Sequence, residues 1–208
     1  MNFLRLFGSI RERFLLHDEF IFARAAGSVN GTAAEPGPGT RTVVDTESKL
    51  SIASGALTFA GGKATPAYGD PAYLLDAKTR AAGLMLIAEA TPADSGISRV
   101  GWEVAARNLY VEDGIYFLGT SILVLANDIG ITAGVYTAVS YKIAAVLRAT
   151  GMFLFIKGGA FTNWTLLWVG PAGTTASLKP MALSYSMAYT SSLLRVPRRL
   201  WLPVPIAS

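Results

Sequence analysis

From Asp18 onward the chain is interrupted by Gly, Pro, Asn or Asp at intervals of roughly ten residues, and the pieces between are short apolar or alternating runs. Helical heptads have no room between such breaks. The pattern predicts an all-β, antiparallel sandwich. "KLSIASG", "ALTFAG", "AGLMLIAEA", "RVGWEVA", "GIYFLG", "ILVLAN", "YKIAAVLRA", "MFLFIKG", "TLLWVG" and a late "MALSYSMAY" read as its strands. Turn chemistry sits between them: Gly151 in "RATGMF", Gly158 and Gly159 in "IKGGAF", Asn127-Asp128 in "LVLANDIGI", and Asp113-Gly114 ahead of "IYF". "VNGTAAEPGPGTRT" and "GGKATPAYGDPAY" are too rich in Gly and Pro for a regular element and read as loops at a rim.

With 208 residues the chain is long enough for one domain with a substantial core. It is 51% hydrophobic and 15% charged, with a mean hydropathy of +0.40, which excludes a disordered chain. So apolar a composition implies a large core or apolar surface covered by a partner. With no cysteine there are neither disulfides nor thiolate metal sites. The long apolar runs from Gly114 and Ile143 are broken by Asn127, Asp128 and Arg148, so no membrane span is expected. Arg5, Arg11, Glu12 and Arg13 likewise break any signal-peptide core at the start.

"HDEFIFARAAGSVNGT", followed by "SKLSIASGALTFAGG" and later by "YKIAAVLRATGMFLFIKGG", resembles concanavalin A-like, laminin-G-like domains of phage and environmental bacterial surface proteins. Asp18, Phe20, Arg24, Gly27, Gly55, Leu57 and Gly151 occupy the matching places. The resemblance implies a jelly-roll sandwich; a fainter likeness is to protomers of environmental extracellular fibrils. Architecture is what such short matches carry, and function must come from a site.

The chain holds few residue patterns that carry chemistry. Some sandwiches that resemble laminarinases use a Glu-x-Asp-x-x-Glu strand, whose alternate carboxylates share one face for a retaining mechanism. No Glu-x-Asp occurs here, and the chain reads as non-enzymatic, with no catalytic residue. His17, the single histidine, lies beside Asp18 and Glu19 without a nucleophile motif and reads as a hydrogen-bonded junction residue. "VEDG" (Glu112, Asp113) and the Asp70 and Asp76 loop lack Ca²⁺-loop spacing, so no metal is expected. No phosphate loop or other cofactor motif is present, and no cofactor is expected. Arg195, Arg198, Arg199 and Trp201 make only a thin basic-aromatic patch, so no nucleic acid is expected. Trp164 and Trp168 are four apart, which on a regular strand puts both on one side, as core residues or as a sugar platform. Asn30-Gly31-Thr32 and Asn163-Trp164-Thr165 are glycosylation sequons, compatible with an extracellular location.

Two features point to assembly. As a helix the opening "MNFLRLFGSIRERFLL" lines up Phe3, Phe7, Ile10 and Phe14, with Leu4 and Leu6 adding apolar bulk. Burying four or five such side chains is worth roughly 1.5–3 kcal/mol each before ordering costs, so the arm needs a docking site. Charge is also segregated: residues 1–128 carry 11 basic and all 14 acidic residues, residues 129–208 seven basic and none acidic. Residues 1–17 are therefore read as a docking arm, and 18–208 as a jelly roll with an extended C-terminal segment. The leading expectation is a structural protomer polymerising head-to-tail into an extracellular filament or virion appendage. Phe3, Leu4, Leu6, Phe7, Ile10, Phe14, Arg198, Arg199, Trp201 and Leu202 would form its interface, with Arg198 and Arg199 approaching Asp94, Glu112 or Asp113 of the next copy. The alternative is a carbohydrate-binding, lectin-like module using Trp164 and Trp168.

Overall fold

The computed structural model describes residues 14–60, 71–93, 97–104, 111–127, 129–149, 151–184 and 188–197. Among them there is no helix. The strands are β1 (Phe14–Asp18), β2 (Thr42–Val44), β3 (Leu50–Ala53), β4 (Ala56–Ala60), β5 (Ala72–Leu74), β6 (Lys78–Thr79), β7 (Met85–Pro92) and β8 (Ile97–Val104). Then follow β9 (Val111–Leu118), β10 (Ser121–Ala126), β11 (Ile129–Val135), β12 (Tyr141–Leu147), β13 (Met152–Gly158), β14 (Phe161–Gly170), β15 (Ser177–Ser184) and β16 (Ala188–Pro197). They form two antiparallel sheets. Sheet I runs β14-β13-β12-β7-β16-β4-β3, with β1 pairing β16; sheet II runs β11-β10-β9-β8-β15-β5-β2, with β6 pairing β15.

The two-residue alternation of the runs builds the core between the sheets. Trp102 and Val100 of β8, Ile115 and Phe117 of β9, Ile143 and Ala145 of β12 and Leu154 of β13 all turn inward and are buried together. The β3–β4 hairpin turns on Ser54 and Gly55, both with positive φ (51° and 74°). This is the combination a two-residue turn needs if its twist is to match the strands.

Two local expectations are corrected. Asp113-Gly114 is no turn: both residues lie inside β9, with Gly114 opposite Gly101. "MALSYSMAY" is not one strand either; the chain leaves sheet II at Ser184 and re-enters as β16 in the middle of sheet I, between β7 and β4. Pro197 ends that central strand, opposite Phe14 of β1. Pro180, by contrast, sits inside a strand with neighbours on both sides. Its carbonyl accepts Leu75 N at 3.1 Å, so its missing N–H faces the gap between β5 and β6, where the ladder is already interrupted.

Asp18, Phe20 and Arg24, three of the residues that carry the resemblance, meet in one arrangement around a buried carboxylate. The Asp18 carboxylate, fully buried, accepts Arg41 Nε at 2.7 Å and Nη2 at 2.8 Å, the Tyr73 hydroxyl, Phe20 N at 3.0 Å and Glu35 N at 3.3 Å. Accepting its backbone bond holds Phe20 at φ 55°, with its ring edge-on to Tyr73. Arg24 pairs with Glu35 at 2.8 Å. Burial alone would lower the Arg41 pKa, but the hydrogen bond and charge of Asp18, with Tyr73 and Glu35, raise it above its usual value. Burial, reinforced by the Asp18 charge and hydrogen bond, pushes the Tyr73 hydroxyl well above its usual value. Gly151 is required by contact: a Cβ there would lie 2.3 Å from the Gly170 carbonyl oxygen. His17 is buried and bonded through Nε2 to Glu19 at 2.8 Å.

Candidate functional site

A two-layer sandwich offers ligands its rims and the outer faces of its sheets. On sheet II the outward positions of β5, β8, β9, β10 and β15 bring together Ala72, Leu74, Leu125, Met181 and Leu183, flanked by Ile97 and Tyr116. These five are buried, as are Arg99 and Glu103 beside them. The Arg99 guanidinium stacks 4.2 Å from the Tyr116 ring centre, and both charged residues are engaged within the protein. This face is closed.

The outer face of sheet I is different. Met85 and Ile87 of β7 and Ala144 and Val146 of β12 form a buried apolar floor. Against it lie Phe153 and Phe155 of β13 and Trp164 of β14, all half-buried. The two phenylalanine rings have centroids 6.2 Å apart, and Arg148 covers Phe153 at 4.5 Å. Leu166 and Val169, opposite Phe155 and Phe153, are exposed on the edge strand at 46% and 55%. Lys142 and Lys157, exposed and paired across β12 and β13, flank the rings, and Glu89 stands opposite Lys142. Half-exposed rings in a row on a pleated surface can lie against the apolar faces of sugar rings, while the charged rim can bond hydroxyl or acidic groups.

Trp164 and Trp168 do not share this face. The β13–β14 register shifts between Leu154 and Phe155: Leu154 faces Trp168, whereas Phe155 faces Leu166. The extra residue is Leu167. A bulge of this kind reverses the alternation beyond it, so Trp168 packs on the core, its Nε1 donating to Pro171 O at 3.3 Å, while Trp164 stays outside. Sequence reasoning missed Phe153, Phe155 and Lys157, although their alternation in "MFLFIKG" was the signal that they share one face.

The carboxylates of "VEDG" are internal. Arg80 Nη2 donates to Glu112 at 3.1 Å and to Asp113 at 2.9 Å, and Asp113 also accepts Asn127 N and Gly173 N. With both acids buried, the expected docking of Arg198 and Arg199 on them in another copy does not stand. Among the described residues no group of His, Cys, Asp and Glu could hold a metal ion, and no helix is long and apolar enough to cross a membrane. Phe14 lies in β1, its ring 4.3 Å from that of His17. Phe3, Leu4, Leu6, Phe7, Ile10, Asp94, Arg198, Arg199, Trp201 and Leu202 lie outside the described residues. Both sequon asparagines are exposed: Asn30 accepts Val43 N through Oδ1 at 2.9 Å, and Asn163 lies on the edge strand β14.

No family model matches the sequence, and no curated protein matches it. Solved structures do share its fold. One, of the endo-acting O-glycanases that human gut microbiota express to initiate mucin breakdown, aligns with TM-score 0.58 at 10% identity, over 88% of this chain and 98% of its own. LamAcat from Zobellia galactanivorans aligns with TM-score 0.55 at 11% identity, over 92% of this chain and 100% of its own. The Bacillus licheniformis β-glucanase gives 0.52 at 11%, over 88% and 98%. The fold is a concanavalin A-like jelly roll.

Two expectations change with it. The sandwich was read as a filament protomer, yet the O-glycanase and the β-glucanase that share its fold are glycan-acting proteins, which points to carbohydrate rather than to a polymer. The reading as a non-enzyme rested on a missing Glu-x-Asp-x-x-Glu strand. It is overturned in turn, because this architecture is one that glycoside-acting enzymes use.

Proposed function

We propose that this chain is a carbohydrate-binding, lectin-like module, and that Phe153, Phe155 and Trp164 form its sugar-contacting surface. The observation that carries the reading is the ring row on sheet I: three aromatic side chains half-buried on one open strand face, beside charged side chains free to bond hydroxyls. The kinship of the fold with glycan-acting proteins supports it. Stacking a pyranose on such rings buries apolar C–H surface at little entropic cost, because each ring is already fixed by the floor beneath it. The exposed sequons Asn30 and Asn163 support an extracellular setting.

The test is a glycan array probed with the full chain and with Trp164→Ala, with reducing-sugar release followed in parallel. Binding that disappears in the variant is the expected result. Binding unchanged by Trp164→Ala would move the site off this face, and release of reducing sugar would make the chain a hydrolase.

A further inference from the structure

The ring row is bordered by more positive charge than a neutral sugar requires. Lys142 and Lys157 are exposed and directly opposite each other across β12 and β13, an arrangement in which like charges repel. Neither belongs to an ion pair among the described residues. At the other end Arg148, also exposed, has its guanidinium carbon 4.5 Å from the centre of the Phe153 ring. The acid on this patch, Glu89, stands opposite Lys142 and accepts the Ser140 hydroxyl at 2.9 Å. Lys157, Phe155 and Phe153 alternate along β13, so cations bracket the rings at both ends over about 13 Å or more.

We infer that the occupant of this face is an anionic polysaccharide, whose sugar rings lie on Phe153, Phe155 and Trp164 and whose carboxylate or sulfate groups meet Lys142, Lys157 and Arg148. The inference rests on the glycan-binding reading above and adds the chemical class of the ligand. Charge complementarity selects this class: among the described residues, three cations against one carboxylate repel nothing in a neutral glycan but gain only from an acidic one.

Calorimetric titration of the full chain with polygalacturonate, dextran sulfate and unmodified dextran tests it, the first two separating carboxylate from sulfate. At least one acidic polymer should bind, with dextran at least about tenfold weaker. Replacing both lysines (Lys142→Gln with Lys157→Gln) should weaken acidic binding roughly 3- to 30-fold. Lys78→Glu on β6 of sheet II removes the same net charge and should leave binding within about twofold. All three positions lie at least partly open to solvent, so the variants should fold, which circular dichroism checks. Equal affinity for dextran and the acidic polymers, lost in Trp164→Ala but untouched by the lysine pair, would overturn the acidic ligand while leaving the glycan-binding face intact. Equal weakening by Lys78→Glu would show attraction to net charge alone and overturn it too. Acidic binding that survives Trp164→Ala, or no binding of any of the three polymers, would overturn both.

Discussion

The Asp18 centre and the outer face of sheet I spend their polar and aromatic groups in opposite ways. At Asp18 the polar groups are turned inward: one carboxylate takes five hydrogen bonds, and Arg41, Tyr73 and Glu35 close around it without water access to the guanidinium. On sheet I the rings of Phe153, Phe155 and Trp164 are only half covered, and the lysines beside them have no ion-pair partner among the described residues. A saturated buried network fixes geometry. Rings left half open cost stability that only something outside the chain can return.

The comparison breaks most easily at its buried side. Arg41→Met leaves the Asp18 carboxylate buried without its cation and should cost about 3–5 kcal/mol in urea unfolding; a loss under about 1 kcal/mol would mean the centre is no keystone. Trp168→Ala removes a ring packed on the core and should cost about 2–3 kcal/mol while leaving glycan affinity unchanged, a split that unfolding and titration together detect.

The pH dependence sharpens the same contrast. An unfolded chain releases a tyrosine proton near pH 10, whereas the native state keeps that of Tyr73 because burial and the Asp18 charge disfavour the phenolate. Above that pH the unfolded state binds fewer protons, so stability falls as pH rises, by up to about 1.4 kcal/mol per pH unit from this group, and is whole below it. Tyr73→Phe should unfold more readily at neutral pH but show a shallower alkaline decline, read from midpoints at pH 8, 10 and 11. Smallest is the effect of Trp164→Ala on folding, within about 1 kcal/mol, against its large effect on binding. A stability loss as great as that of Trp168→Ala would make Trp164 a core residue and dissolve the contrast.

The strands themselves were largely legible, because alternation and Gly punctuation are local. "YKIAAVLRA" and "MFLFIKG" each became one strand. Asp18, Phe20 and Gly151 were readable through the resemblance, whereas Arg41 was not, since a lone arginine in a Gly-rich loop looks solvated until the fold brings Asp18 to it. The separation of Trp164 from Trp168 was illegible for another reason. A bulge is defined by the partner strand, and one residue of slip in β14 appears only when β13 is laid beside it. The sheet change between Ser184 and Ala188 was hidden likewise, as both halves of the segment have strand character and only topology assigns them to different layers.

The place of β16 has a consequence for biosynthesis. On one side it pairs with β7, on the other with β4 and then β1, so residues 188–197 are the seam on which strands from the beginning and middle of the chain converge. On the ribosome the β8–β9–β10–β11 meander and the β12–β13–β14 hairpins can form as they emerge, but β5 and β8 must wait for β15, and β4 and β7 wait longer, with bare edges until the seam of sheet I is translated. Premature termination before Ala188 would therefore not shorten the protein so much as leave sheet I in three pieces, with β7 and β4 exposing interior edges ready to pair with another nascent chain.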